Sequence, residues 1–142
     1  MKNSELSASK IPVNSCQVFI IAFVDSSSIQ TGTGQGVYFV DNRSSAGSSN
    51  EGSASLQTVC AKMSNVAWSV IPLNPNDGFL YSIQSIGSSN SWGPGGQPLA
   101  ATGGYYTGQV QNAGQAGYQI TLNAIGGGNV FQPSTTLGMN GN

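Results

Sequence analysis

Val18-Phe19-Ile20-Ile21-Ala22-Phe23-Val24 is the stretch on which the fold turns. It is apolar on both of its alternating faces, the pattern of a central strand covered on each side. It is also far shorter than the roughly 20 apolar residues that cross a bilayer, which excludes a membrane span. Working outward, Gly36 to Val40 reads as the next strand, and Asp41 to Gly52 as a polar surface loop. Ala54 to Cys60 follows, and in Val66 to Ile71 the residues Val66, Trp68 and Val70 share one face while Ala67, Ser69 and Ile71 share the other.

Beyond the turn-prone Asn74 to Gly78, Phe79, Tyr81 and Ile83 alternate with Leu80, Ser82 and Gln84. Ser88 to Gly104 breaks the regular pattern. Tyr105 to Val110 and Tyr118 to Ala124 then flank QNAGQAG, which reads as a hairpin connection, and a last strand around Asn129 to Leu137 is interrupted at Pro133. Gly, Ser, Asn and Pro interrupt every window long enough for a helix. About seven to eight short strands without helical crossovers predict an all-β fold: an antiparallel β-sandwich, jelly-roll-like. Residues 16–142 would form this single domain, preceded by a polar N-terminal arm over 1–15.

Composition narrows the function classes. Of 142 residues only 6% are charged, against roughly 25% in an average soluble protein. Four Lys and Arg residues are too few and scattered to neutralise a run of phosphates, which excludes nucleic acid as a partner. The first residues lack the apolar stretch of a classical secretory signal, so the expected location is the cytoplasm, or release without such a signal. Cys16 and Cys60 permit one disulfide at most, and two free, buried thiols are the simpler reading.

Catalysis finds little support. The chain contains no histidine to activate its many serines. Asp25, Asp41, Glu51 and Asp77 could supply a carboxylate pair, but each sits in or beside a turn, where such residues hydrogen-bond the backbone. No catalytic residue is therefore assigned. No cofactor is required, although Asp41, Asn42 and Glu51 at the two ends of one loop have atoms suited to calcium. In SSNSWGPGG, Trp92 with Asn90, and with Tyr105 and Tyr106 soon after, suggests an aromatic platform for a glycan. The same Trp92 would, in the plainer reading, fold back to cap the sandwich.

A surface built of Ser, Thr, Asn, Gln and Gly has little charge repulsion to keep copies apart, and few lysines protect strand edges. Polar termini are mobile unless something holds them, so Lys2, Glu5 and Lys10 of the arm are the candidate contacts between copies.

The order of motifs resembles the bacterial AidA/PixA inclusion-body protein family. The resemblance lies in Val24-Asp25-Ser26-Ser27-Ser28-Ile29 after an apolar strand, Gly52 to Leu56 (GSASL) and Val66-Ala67-Trp68. It continues in YSIQSI, in YQITL and in the ending Phe131-Gln132-Pro133-Ser134-Thr135, which has Gln132 before the proline. It implies a non-catalytic β-sandwich accumulated in dense or crystalline inclusions. The reading that results is a structural protein that self-associates into an ordered assembly, its partner being itself; the alternative is a lectin-like module around Trp92, possible with calcium.

Overall fold

The computed structural model describes residues 9–142. Ten strands form: β1 (Val18–Val24), β2 (Val37–Asp41), β3 (Gln57–Cys60), β4 (Asn65–Pro72), β5 (Leu80–Ile86), β6 (Leu99–Ala100), β7 (Tyr106–Gln109), β8 (Gly114–Gly126), β9 (Asn129–Phe131) and β10 (Ser134–Gly141). One sheet runs β2-β1-β4-β7-β6 and the other β3-β10-β8-β5, with β9 paired to β8. The chain is an all-β sandwich.

Two features differ from the strictly antiparallel expectation. β1 pairs with β4 in parallel, and β3 pairs with β10 in parallel. Parallel neighbours need a long crossover, for which a helix is the usual sign. Here each crossover passes through strands of both sheets, so no helix marks it. QNAGQAG is likewise not a hairpin: β7 pairs with β4 in one sheet and β8 with β10 and β5 in the other. Turn chemistry alone cannot separate a hairpin from an arch between sheets, because both need the same polar, glycine-rich bend.

The sandwich interior follows the alternation. Val18, Ile20, Ala22 and Val24 of β1 are buried against Tyr118, Ile120, Leu122 and Ala124 of β8 in one core cluster. At its centre the Trp68 ring meets Trp92 edge-on, centroids 5.7 Å apart at 89°, and Tyr118 at 5.8 Å and 76°. Trp68 Nε1 donates to Tyr118 Oη at 3.1 Å, so the one polar atom of the indole is satisfied inside the core. The other face of β1 behaves differently from expectation: Phe19, Ile21 and Phe23 are only half-buried, because no second layer covers that side of the sheet.

Pro133 ends β9 and sets off β10, yet its carbonyl still accepts from Leu122 N at 2.9 Å. The interruption expected at this proline is real. Cys16 and Cys60 are both free thiols, Cys16 half-buried and Cys60 buried. Burial pushes both thiols above their ordinary pKa.

Candidate functional site

The sandwich presents three regions whose chemistry could carry a function, and the first is a cleft of about 410 Å³ beside β6 and β7. Its walls are Ser9 to Ile11 on one side and Gly95 to Gln97 with Leu99 on the other; Thr107 to Gln109 and Gln111 complete it. Polar bonds fasten the wall formed by the N-terminal segment. Ser9 N donates to Ala100 O at 2.7 Å, and Thr107 Oγ1 donates to Ile11 O at 2.8 Å. A relay of amides holds the opposite end: Gly95 N donates to Gln111 Oε1 (2.9 Å), Gln111 Nε2 to Gln109 Oε1 (3.0 Å) and Gln109 Nε2 to Met63 O (3.2 Å).

Gly108 has no room for a side chain here, since a Cβ would stand 2.7 Å from Pro98 Cγ. The lining offers amides, hydroxyls and the exposed Lys10, with no carboxylate, histidine or cysteine. It can hydrogen-bond a ligand but holds no acid–base pair. Lys10 is thus placed at this cleft, while Lys2 and Glu5, the other expected contacts between copies, lie outside the described residues. Sequence reasoning did not single out Gln97, Gln109 or Gln111, because glutamines recur along the chain and only tertiary contact gathers these three.

The second region is the corner at Asp41. Asp41 N donates to Glu51 Oε1 at 2.9 Å, and the Asp41 carboxylate accepts from Thr58 Oγ1 (2.7 Å) and Arg43 N (2.8 Å). Burial works to raise the Asp41 pKa, but hydrogen bonds from Glu51, Thr58, the Arg43 N–H and Ser48 outweigh it and hold the carboxyl below its ordinary value. Glu51 moves the other way: desolvation, the hydrogen bond shared with Asp41 and the neighbouring charge all raise it. The two shifts run in opposite directions, which makes Asp41 the stronger acid of the pair.

Both carboxyls are spent on local hydrogen bonds, Asp41 on Thr58 and the Arg43 N–H and Glu51 on the Asp41 N–H. Asn42, grouped with them as a calcium ligand, is turned to another task. Its Oδ1 accepts from Phe19 N (3.0 Å) and its Nδ2 donates to Gln17 O (3.1 Å), which fixes the start of β1. Among the described residues no three His, Cys, Asp or Glu side chains gather as metal ligands. Asp25 is taken up by Ser27 and Ser28, whose hydrogen bonds lower its pKa. Asp77 accepts from Tyr81 Oη, which lowers it, while burial first and then this bond push Tyr81 up to about 12.

The aromatic platform does not form as anticipated. Trp92 is 1% exposed, its Nε1 donating to Gly87 O at 2.9 Å and its ring tilted against Tyr118 at 5.2 Å. The loop folds back because a large indole gains more by burial than by exposure, and the Gly87 carbonyl satisfies its N–H. Tyr106 packs on the core and its Oη donates to Gln84 O (2.9 Å). Tyr105 is half-buried beside Gly103, and Asn90 contributes its carbonyl to Asn112 Nδ2. The four residues do not share a surface.

The third region is apolar. Leu80, Ile125 and Val130 stand side by side across β5, β8 and β9, and they are 72%, 46% and 59% exposed. On the other sheet Tyr38, Phe23 and Ile71 form a similar cross-strand row over β2, β1 and β4. Exposed apolar rows of this kind mark contact surfaces more often than single exposed residues do.

Residues 16–129 match the family described as "Domain of unknown function (DUF8788)". The chain belongs to the DUF8788 family. Among solved structures, this DUF8788 chain is similar to the inclusion body protein PixA of Burkholderia cenocepacia J2315, with a TM-score of 0.65 and 12% identity over 94% of this chain and 100% of that one. The resemblance read from the motifs is thus borne out for the fold. The search of curated proteins gave no match. No helix among the described residues is long and apolar enough to cross a membrane.

Proposed function

We propose that this DUF8788 protein is a non-catalytic structural protein of bacteria that self-associates into an ordered assembly. The observation that carries the reading is the pair of exposed apolar rows on opposite sheets of a nearly uncharged molecule. Leu80, Ile125 and Val130 lie on one sheet, and Tyr38 and Ile71, flanking half-buried Phe23, on the other. A sandwich with a sticky patch on each outer face and a net charge of −1 can contact copies in two directions with little electrostatic repulsion. The shared fold with an inclusion body protein supports the same reading.

Sedimentation velocity over a concentration series, with negative-stain images of the same samples, tests it. Growing mass and regular particles are expected; a strict monomer at the highest concentration would sink the proposal.

A second reading rests on the cleft. Its amide and hydroxyl lining suits a neutral, hydroxyl-rich ligand such as a glycan, without the Trp92 stacking first expected. A glycan panel compared between the protein and a Gln97→Ala variant tests this reading: binding that the variant loses supports it, and an empty panel removes it.

A further inference from the structure

The strand orders β2-β1-β4-β7-β6 and β3-β10-β8-β5 end in four strands, and the chain's own atoms bond to the outer side of three of them. On β2, Phe39 N donates to Ser53 O (3.0 Å) and Gly52 N to Phe39 O (2.7 Å). On β3, Gln57 exchanges hydrogen bonds with Ser49 (2.9 and 3.0 Å), Val59 N donates to Ser48 Oγ, and Arg43 Nε donates to Val59 O. On β6, Ser9 N donates to Ala100 O. The fourth edge, β5, is different.

The register shows which groups it leaves open. Leu122 N bonds to Pro133 O on the β9–β10 side of β8, while Gly87 N bonds to Gln119 O on the β5 side. Alternation along β8 then turns Asn123 and Ile125 toward β5, where their partners are Ser82 and Leu80. The backbone N–H and C=O of Tyr81 and Ile83 therefore point away from β8, and they have no backbone partner among the described residues. Farther along, the Gln84 carbonyl is occupied by Tyr106 Oη, and the ladder is bulged between Ile83 and Ser85. The open edge is short and centred on Ser82.

We propose that a second copy of this chain docks on that edge, β5 against β5 and antiparallel about a two-fold axis at Ser82. The inference rests on the self-association reading and names its surface. Three observations select a second copy as the occupant. Leu80-Tyr81-Ser82-Ile83-Gln84-Ser85-Ile86 carries no charge, so two copies meet without the like-charge repulsion that usually guards an edge. The two open residues flank Ser82 evenly, so a two-fold pairs Tyr81 of each copy with Ile83 of the other and satisfies both sets of backbone groups. The exposed row of Leu80, Ile125 and Val130 reaches this edge, and pairing places each copy's Leu80 opposite Gln84 of the other. The outcome is one continuous sheet through the dimer.

The geometry makes a specific demand. Ser82 faces its own copy in a pair without direct hydrogen bonds, where Cα atoms stand about 4.5 Å apart, inside the range a disulfide spans. In a Cys16→Ser background, Ser82→Cys should oxidise mainly to a covalent dimer, while Ser85→Cys, equally exposed but off the axis, should not. Ser82→Lys should raise the dissociation constant at this contact by about tenfold or more in sedimentation equilibrium. Both positions are exposed, so the variants should keep the parent's circular dichroism and melting temperature, which are measured alongside. If the parent assembles while Ser82→Lys assembles equally and Ser82→Cys cross-links no better than Ser85→Cys, β5 pairing is overturned and self-association stands. A parent that is monomeric throughout overturns both.

Discussion

The centre of the sandwich and its outer rows are built from the same kinds of residue and end in opposite situations. Trp68, Trp92 and Tyr118 are buried by one another across the two sheets, and their polar atoms are paired within the protein. Leu80, Ile125 and Val130 stand in an equally regular cross-strand row with solvent opposite. What separates them is whether a layer lies across, and the fold supplies one layer per sheet. The inner face therefore holds the fold together, and the outer rows are available for contact between copies.

The sharpest way to break this contrast is to truncate one residue from each region. Trp68→Ala should cost about 3–5 kcal/mol in urea unfolding, because it opens a cavity and leaves Tyr118 without its indole partner. A loss near zero would mean that the aromatic cluster does not anchor the core. Next in size is Gly126→Ala on β8, where the new methyl would lie 2.6 Å from the Phe79 ring. Phe79 stacks on Tyr81 and Phe131, so it cannot simply swing away, and a destabilisation of about 1–3 kcal/mol is expected in the same assay.

Leu80→Ser should sit at the other end of the scale, within about 0.5 kcal/mol of the parent in stability. Its effect should appear instead as lower mass in sedimentation velocity. If it destabilises the fold as Trp68→Ala does, the distinction between the two regions fails.

The smallest expected effect concerns pH at the Asp41 corner. Glu51 has its pKa raised in the folded protein, so its contribution is complete below its ordinary value of 4.5 and is lost as pH rises through the folded value. Asp41 is lowered, so its contribution is complete above 3.8 and is lost as pH falls through its folded value. Glu51→Gln keeps an amide oxygen for the Asp41 N–H and removes the titration. Thermal melts from pH 4 to 7 should show the parent losing stability relative to this variant as pH climbs above about 4.5. Parallel curves would show that Glu51 does not titrate against Asp41.

Much of the strand content was legible because alternation is a local property. Val66, Trp68 and Val70 could be assigned to one face of β4, and Tyr118, Ile120, Leu122 and Ala124 to one face of β8, from spacing alone. The candidate sites were less legible. Trp92 looked like a surface aromatic because its neighbours are Ser, Asn, Gly and Pro, and only the Gly87 carbonyl and the adjacent Trp68 explain why it turns inward. Asn42 looked like a ligand beside Asp41, but the start of β1 claims both ends of its amide.

By itself, the amino-acid sequence determined a sparsely charged all-β domain, the approximate positions of its strands, the break at Pro133 and a chemistry without histidine. These follow from residue type and short-range periodicity, which need no partner to be read. Tertiary structure alone decided that β1 lies parallel to β4, that β7 and β8 belong to different sheets, that three glutamines gather at one cleft and that the outer side of β5 is left open. Each of these is a pairing between residues distant in the chain, and strand pairing is set by which faces and edges find a complement once the two sheets close on each other.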